Sequence, residues 1–157
     1  IGAAISPQNV FQLIQGLETL PLRLRQHNEN AIKVAEFLQN HPKVSNVIFP
    51  KFQTGKSAER AKTYLKPGSY GALVGFELKS GREAGRRFID ALQLFYHLAN
   101  IGDARSLAIH PSTTTHSQLS EENQLASGVT PGYVRLSIGL EHPDDLIADL
   151  TQALANA

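Results

Sequence analysis

The chain has no cysteine and no methionine among its 157 residues. Without cysteine there is no disulfide framework, and a cytoplasmic setting is expected, because disulfides belong to oxidising compartments. Without methionine there is no initiator, and a chain that opens at Ile1 reads as a piece of something longer. No apolar run approaches the ~20 residues that span a bilayer, and no charged-then-apolar leader opens the chain, so a soluble protein with no membrane partner is expected. A charge excess is missing too. Fifteen basic against 14 acidic side chains give a formal charge of +1, which offers nothing to nucleic acid or an anionic surface. Arg82, Arg86 and Arg87 fall at i, i+4 and i+5 of an expected helix and read as a solvated face. Repeats and low-complexity segments are absent as well. With 41% hydrophobic residues the length suits one domain with a real core.

What is present is a mixture of helices and strands. Ser6 before Pro7 signals a helix start, with the hydroxyl as cap and the proline where its missing N–H costs nothing. Val10, Leu13, Ile14 and Leu17 follow as an apolar stripe. Pro21 opens a second helix meeting the first near Thr19, with Leu24, Ala31, Val34, Ala35 and Leu38 as its stripe up to His41. Val44 to Phe49 and Leu73 to Leu78 read as strands, and a helix lies between Lys51 and Lys66. Gly55-Lys56-Ser57 imitates the tail of a phosphate-binding loop, but Pro50 stands where that motif needs glycine, so the motif is rejected. Ser80 and Glu83 form the pattern of a capping box before a helix from Arg82 to Leu92, and Leu94 to Leu98 reads as a strand. Ser120 caps a helix to about Gly128, Tyr133 to Ile138 is a strand, and Pro143 opens a last helix with Leu146, Ile147, Leu150 and Leu154 on one face. The expected fold is therefore an α/β (α+β-like) domain with a mixed or antiparallel sheet, helices covering one face and the other left open.

Two stretches look like a site. In the first, Ser106, Ala108 and His110 alternate with Leu107 and Ile109, the pattern of a strand with one polar face, and Pro111 ends it. The hydroxyl-rich run Ser112 to Ser117 then reads either as a solvated turn or as a loop that places donors around a ligand. In the second, Val134, Leu136 and Ile138 face one way while Tyr133, Arg135 and Ser137 face the other. A mid-strand arginine beside tyrosine and serine suggests an anion; a snorkelling arginine on an open face has the same spacing. The polar positions at Ser106 and Arg135 are expected on the open side of the sheet. His110 and His116 have no third ligand nearby, which argues against metal. Ser106, His110 and Asp103 lack the nucleophile-elbow motif of a hydrolase triad.

Several long motifs, in order, carry a resemblance that spans the whole chain: SPQNVFQLIQGLETLPLRLRQHNENAIKVAEFLQNHPKV, FELKSGREAGRRFIDALQLF, LANIGDARSLAIHPSTTTHSQLS and GVTPGYVRLSIGLEHPDDLIADL. The chain resembles the pyridoxal-phosphate enzymes of cysteine and methionine metabolism, fold type I, and within them the O-acetylhomoserine sulfhydrylases. IGDARSLAIHP differs from the Gly-Gly and Glu-Ser-Leu pattern of cystathionine-forming and cystathionine-cleaving members, with Arg105 in place of the glutamate. Methionine γ-lyases share Gly102-Asp103-Ala104, and STTTH stands where Ala-Ser-Thr-Thr-His is more usual.

The resemblance implies that residues 1–157 form the small C-terminal domain of a transferase, with residues 1–40 leading to a large domain that precedes it. That large domain would supply the Schiff-base lysine and most contacts to pyridoxal 5'-phosphate. None of Lys33, Lys62 or Lys79 stands in the family's Ser-X-Thr-Lys context, so this chain alone is expected to be inactive. The implied substrates are O-acetyl-L-homoserine and sulfide, giving homocysteine for methionine biosynthesis in a cytoplasmic homotetramer. A methionine γ-lyase, a cystathionine γ-synthase or lyase, and a non-catalytic isolated domain are the alternatives. By the same resemblance Arg135 binds the substrate α-carboxylate, Ser106 supports that carboxylate, and Thr115 lies near substrate and cofactor. Asn100 and Tyr133 are neighbours without an assigned role.

Overall fold

A computed structural model describes residues 2–157. Helix α1 (Pro7–Glu18) begins as its sequence dictates, with the Ser6 hydroxyl accepting the Asn9 N–H at 3.2 Å and proline in the first turn. Its apolar stripe forms, yet no residue of the helix is buried. Helix α2 (Leu20–Gln39) starts at Thr19, as expected. Leu24 departs from the expected stripe and stays 54% exposed, because α2 meets the rest of the fold only from His27 onward. Ala31, Val34, Ala35 and Leu38 are fully buried.

Strand β1 (Val44–Ile48) leads through a 3-10 turn, Pro50–Phe52, into α3 (Gly55–Tyr64), which buries no residue. Strand β2 (Leu73–Leu78) is followed by α4 (Gly81–Ala91). The capping box expected there does not form. Ser80 has φ −90° and ψ 13° and makes no side-chain cap bond, since a cap needs an extended backbone to fold its hydroxyl over the first turn. Strand β3 shrinks from the expected five residues to Tyr96–His97. The cause is Asp149, whose buried carboxylate accepts the N–H groups of Gln93, Leu94 and Phe95 at 2.9, 2.8 and 3.1 Å and so removes them from any ladder. Next come β4 (Leu107–Ile109), a 3-10 turn at Pro111–Thr113, α5 (Glu121–Ala126) capped by Ser120, β5 (Tyr133–Ser137) and α6 (Pro143–Asn156).

The strands form one mixed sheet in the order β1-β2-β5-β4-β3, antiparallel throughout except for the parallel β3–β4 pair. Its core side presents Val74, Phe76 and Leu78 from β2, Val134 and Leu136 from β5, and Ala108 from β4. Onto them pack α2, α4 through Ala84, Phe88 and Ile89, and α6 through Leu146, Leu150, Ala153 and Leu154. Phe76 and Phe88 meet edge to face at 5.4 Å, and each such buried side chain contributes roughly 1.5–3 kcal/mol. The residues of opposite parity, Leu73, Gly75, Tyr133 and Arg135, stay outside this cluster. Helices thus cover one face and leave the other uncovered, as the alternation implies. Among the described residues no helix is long and apolar enough to cross a membrane.

Strand parity corrects one expectation. Ala108 pairs with Leu136 in the core, while Leu107 and Ile109 pair with Ser137 and Arg135 on the open side. Ser106 and His110 share the parity of Ala108, so they point towards the helices and are fully buried. The polar alternation is real, but its polar side is the covered one. Arg82 is likewise no solvated residue: it donates to Ser112 O at 3.1 Å and Gln124 Oε1 at 3.2 Å.

Candidate functional site

The register across the sheet aligns Ile48 of β1, Gly75 of β2, Arg135 of β5 and Ile109 of β4 in one row on the open face. A Cβ at Gly75 would lie 2.6 Å from the Tyr133 hydroxyl, so a larger residue there would have to push that ring aside. The Tyr133 ring therefore rests against the β2 backbone. Its phenol pKa is raised above the ordinary 10.0, chiefly by burial, while the charge of Arg135 pulls the other way.

Beside Tyr133 lies a cavity of about 460 Å³, walled by Arg135, Ile109, Thr115, His116 and Val129 among others. No lysine or carboxylate lines it, so Arg135 is its single permanent charge. The guanidinium is half-satisfied: Nη2 donates to the Asn100 carbonyl at 3.3 Å, whereas the buried Nε has no partner. A buried donor left unmet costs about 1–3 kcal/mol. A planar anion that takes two parallel bonds from the guanidinium would remove that cost, and a carboxylate has the matching fork. Thr115 is exposed at the cavity, and its hydroxyl shares a 2.9 Å hydrogen bond with His116 Nδ1.

Of the three residues singled out in the sequence, Arg135 and Thr115 meet here and Ser106 does not. The Ser106 hydroxyl donates to Glu141 Oε2 at 2.8 Å and accepts the Gly139 N–H at 2.7 Å, and its own N–H donates to Glu141 Oε1 at 2.7 Å. Helix α2 closes the same corner. Asn30 donates to the carbonyls of Gly139 and Glu141 at 3.0 and 2.8 Å, and His27 Nδ1 lies 2.6 Å from Ile138 O. Two residues, Glu141 and Gln124, go unmarked in the sequence reading, and Asn100 appears there only as a neighbour without an assigned role. Asn100 touches Arg135 through its carbonyl, which every residue has, so no side-chain pattern points to it. Glu141 acts through Ser106, 35 residues away in sequence, and Gln124 through carbonyls of the loop just before it, so only their pairing in three dimensions distinguishes them.

Other chemistries find no geometry. His110 bonds to Thr113 Oγ1 at 2.9 Å and Pro131 O at 2.7 Å, and Asp103 accepts the Arg105 N–H at 3.1 Å, so Ser106, His110 and Asp103 form no relay. No cluster of three metal-ligating side chains occurs among the described residues. Gly55-Lys56-Ser57 simply opens the exposed helix α3.

Comparison with known proteins gives this geometry its setting. The family model for the Cys/Met metabolism PLP-dependent enzymes matches residues 1–155. An O-acetyl-L-homoserine sulfhydrylase from Leptospira meyeri is 57% identical over 156 residues, which are 99% of this chain and 35% of that protein. A homocysteine synthase from Schizosaccharomyces pombe is 47% identical over 98% of the chain, and an L-methionine gamma-lyase from Fusobacterium nucleatum subsp. polymorphum is 42% identical over 98%. A crystal structure from Campylobacter jejuni, described as an O-acetylhomoserine (thiol)-lyase with a pyridoxyl-lysine phosphate, superimposes with a TM-score of 0.88 at 48% identity. It is covered over 36% of its length by 98% of this chain. The chain thus spans about a third of the length of the relatives it matches. Matched over nearly its whole length and folded as its structural relative is, the chain belongs to the Cys/Met metabolism PLP-dependent enzyme family.

Proposed function

We propose that this chain is the small C-terminal domain of a pyridoxal-phosphate-dependent O-acetyl-L-homoserine sulfhydrylase, and that it holds the α-carboxylate of the amino-acid substrate. The whole protein replaces the acetoxy group of O-acetyl-L-homoserine by sulfide: a C–O bond breaks, a C–S bond forms, and homocysteine and acetate leave. The observation that carries the reading is Arg135, a lone cation with an unpartnered buried Nε, set in an otherwise uncharged cavity. The 57% identity to a sulfhydrylase supports the choice within the family.

The cavity fits one wall of a cofactor site and not a whole one. It offers Arg135, the Thr115 hydroxyl and His116, but no lysine to hold pyridoxal phosphate covalently. That lysine belongs to the large domain outside this chain, with residues 1–40 as the helical connection. When bound, the cofactor supplies an electron sink for carbanion chemistry. Arg135 fixes the substrate carboxylate, Thr115 and His116 present polar atoms to the substrate and cofactor side, and Ile109 with Val129 keeps water out. Ser106 acts as a positioning residue. Its hydroxyl ties residue 139 to Glu141 and so fixes the chain where it leaves β5.

The test is a comparison of specificity constants in the full-length enzyme for three reactions: sulfide replacement on O-acetylhomoserine, cleavage of methionine, and condensation with cysteine. The first should exceed the others by orders of magnitude, since discrimination lies in relative transition-state binding and not in shared fold. Dominant methionine cleavage would instead assign the chain to the γ-lyases.

A further inference from the structure

The wall of the Arg135 cavity that carries Thr115 and His116 belongs to no strand and no α-helix. Its position is set from behind by Gln124, a residue of α5 that is 3% exposed and does not line the cavity. The Gln124 amide nitrogen lies 2.8 Å from His116 O, 3.2 Å from Ser112 O and 3.4 Å from Leu119 O, three carbonyls of one loop. Its main-chain carbonyl accepts the N–H groups of Val129 at 2.9 Å and Ser127 at 3.1 Å, two further residues of the wall. Its side-chain oxygen accepts from Arg82 Nη2 at 3.2 Å, and Arg82 Nη1 reaches Ser112 O at 3.1 Å. Arg82 stands on α4, which packs on the sheet by Ala84, Phe88 and Ile89. The Thr115–His116 segment of the wall therefore hangs from the Gln124 side-chain amide and the Ser127–Val129 segment from the main-chain carbonyl of the same residue, and the side-chain amide is anchored to the helix layer by one guanidinium.

We propose that Gln124, anchored by Arg82, is a positioning residue that sets the distance from the Thr115–His116 wall to Arg135, and with it the side-chain length of the amino acid accepted. The proposal rests on the carboxylate reading of Arg135. With the carboxylate fixed at one end, the opposite wall measures what remains of the substrate. An amide is needed at 124 because a donor must face three carbonyls while an acceptor faces Arg82. Among uncharged side chains of that size, glutamine alone offers two N–H donors beside a separate acceptor.

The experiment uses the full-length enzyme, with rates referred to titrated active sites. Gln124→Glu keeps volume and the Arg82 acceptor but loses the donors; Arg82→Lys keeps charge but loses the fork. Both are compared with Arg86→Ala, an exposed residue of the same helix. Substrates are O-acetyl-L-homoserine and O-acetyl-L-serine, which share the α-carboxylate and differ by one methylene. Gln124→Glu should raise KM for O-acetyl-L-homoserine about tenfold and shrink the preference over O-acetyl-L-serine at least about fivefold, as expected for a displaced wall. Arg82→Lys should move both in the same direction by less. A structural role alone would lower the number of active sites and leave KM and the preference unchanged, and that result in both variants overturns the proposal. If Gln124→Glu yields no folded enzyme, Arg82→Lys decides. If Arg135→Ala raises KM while these two variants do not, this proposal fails alone; if Arg135→Ala leaves KM unchanged, the carboxylate reading fails and this proposal with it.

Discussion

Arg135 shows how much one side chain can disclose when its surroundings leave it incomplete. Its charge stands out in the sequence because it falls in mid-strand beside tyrosine and serine, and the structure adds the buried Nε without a partner. Arg135→Ala in the full-length enzyme should weaken amino-acid binding by about 2–4 kcal/mol, since charge-assisted bonds to a desolvated carboxylate are worth ~1.5–3 kcal/mol each. Arg135→Lys should recover only part of this, because an ammonium cannot reproduce the fork. KM and kcat/KM measure it, and wild-type kinetics in the alanine variant would reduce Arg135 to a surface charge. Ser106 shows the limit of reading at this scale. Alternation divides a strand into two faces but does not say which one is covered; pairing of Ala108 with Leu136 decides that, and pairing is a property of two strands.

At the scale of elements, His110 joins β4, the turn before β5 and α4. Its ring lies against Gly85, where a Cβ would sit 2.3 Å from Nε2, and its nitrogens meet Pro131 O and Thr113 Oγ1. Burial, foremost, holds its pKa below the ordinary 6.5; the Pro131 carbonyl opposes this and Arg82 reinforces it. A group whose folded pKa is depressed in this way is neutral when folded and binds a proton more readily when unfolded. Its contribution is complete above the unfolded value near 6.5 and declines as pH falls below it. Urea midpoints at pH 7.5 and pH 5 should therefore drop more for the wild type than for His110→Asn, with His41, also depressed by burial, common to both. Equal drops would show that His110 is not the titrating group. The elements themselves were largely legible: caps at Ser6 and Ser120, prolines 7, 21 and 143, and period-two strands at β2 and β5 all formed where their chemistry put them. The failures at Ser80 and β3 arose from backbone conformation and from a carboxylate 54 to 56 residues away, neither of which a local window contains.

For the whole molecule, the apolar surface is divided unevenly. The core is sealed, yet Phe11, Leu13, Leu17 and Leu22 are 58–64% exposed along α1 and the start of α2, and Leu98 and Ile101 are 51% and 61% exposed. The stripe of α1 announces a helix, and among the described residues nothing buries it. That the cavity holds no lysine gives a prediction at this scale. The isolated 157-residue chain, mixed with pyridoxal phosphate and reduced with borohydride, should label its surface lysines weakly and without preference. Mass spectrometry of the digest checks this, and saturable one-to-one labelling of a single lysine would contradict the proposed division of labour between domains. The carboxylate of Asp149 bears on the whole in another way. By taking three consecutive N–H groups before β3 it leaves an edge strand of two residues, and the opposite edge, β1, carries a register shift between Val44 and Asn46. A short or irregular border gives an incoming strand little to pair with, so the sheet resists sideways growth into aggregates although one of its faces stands uncovered.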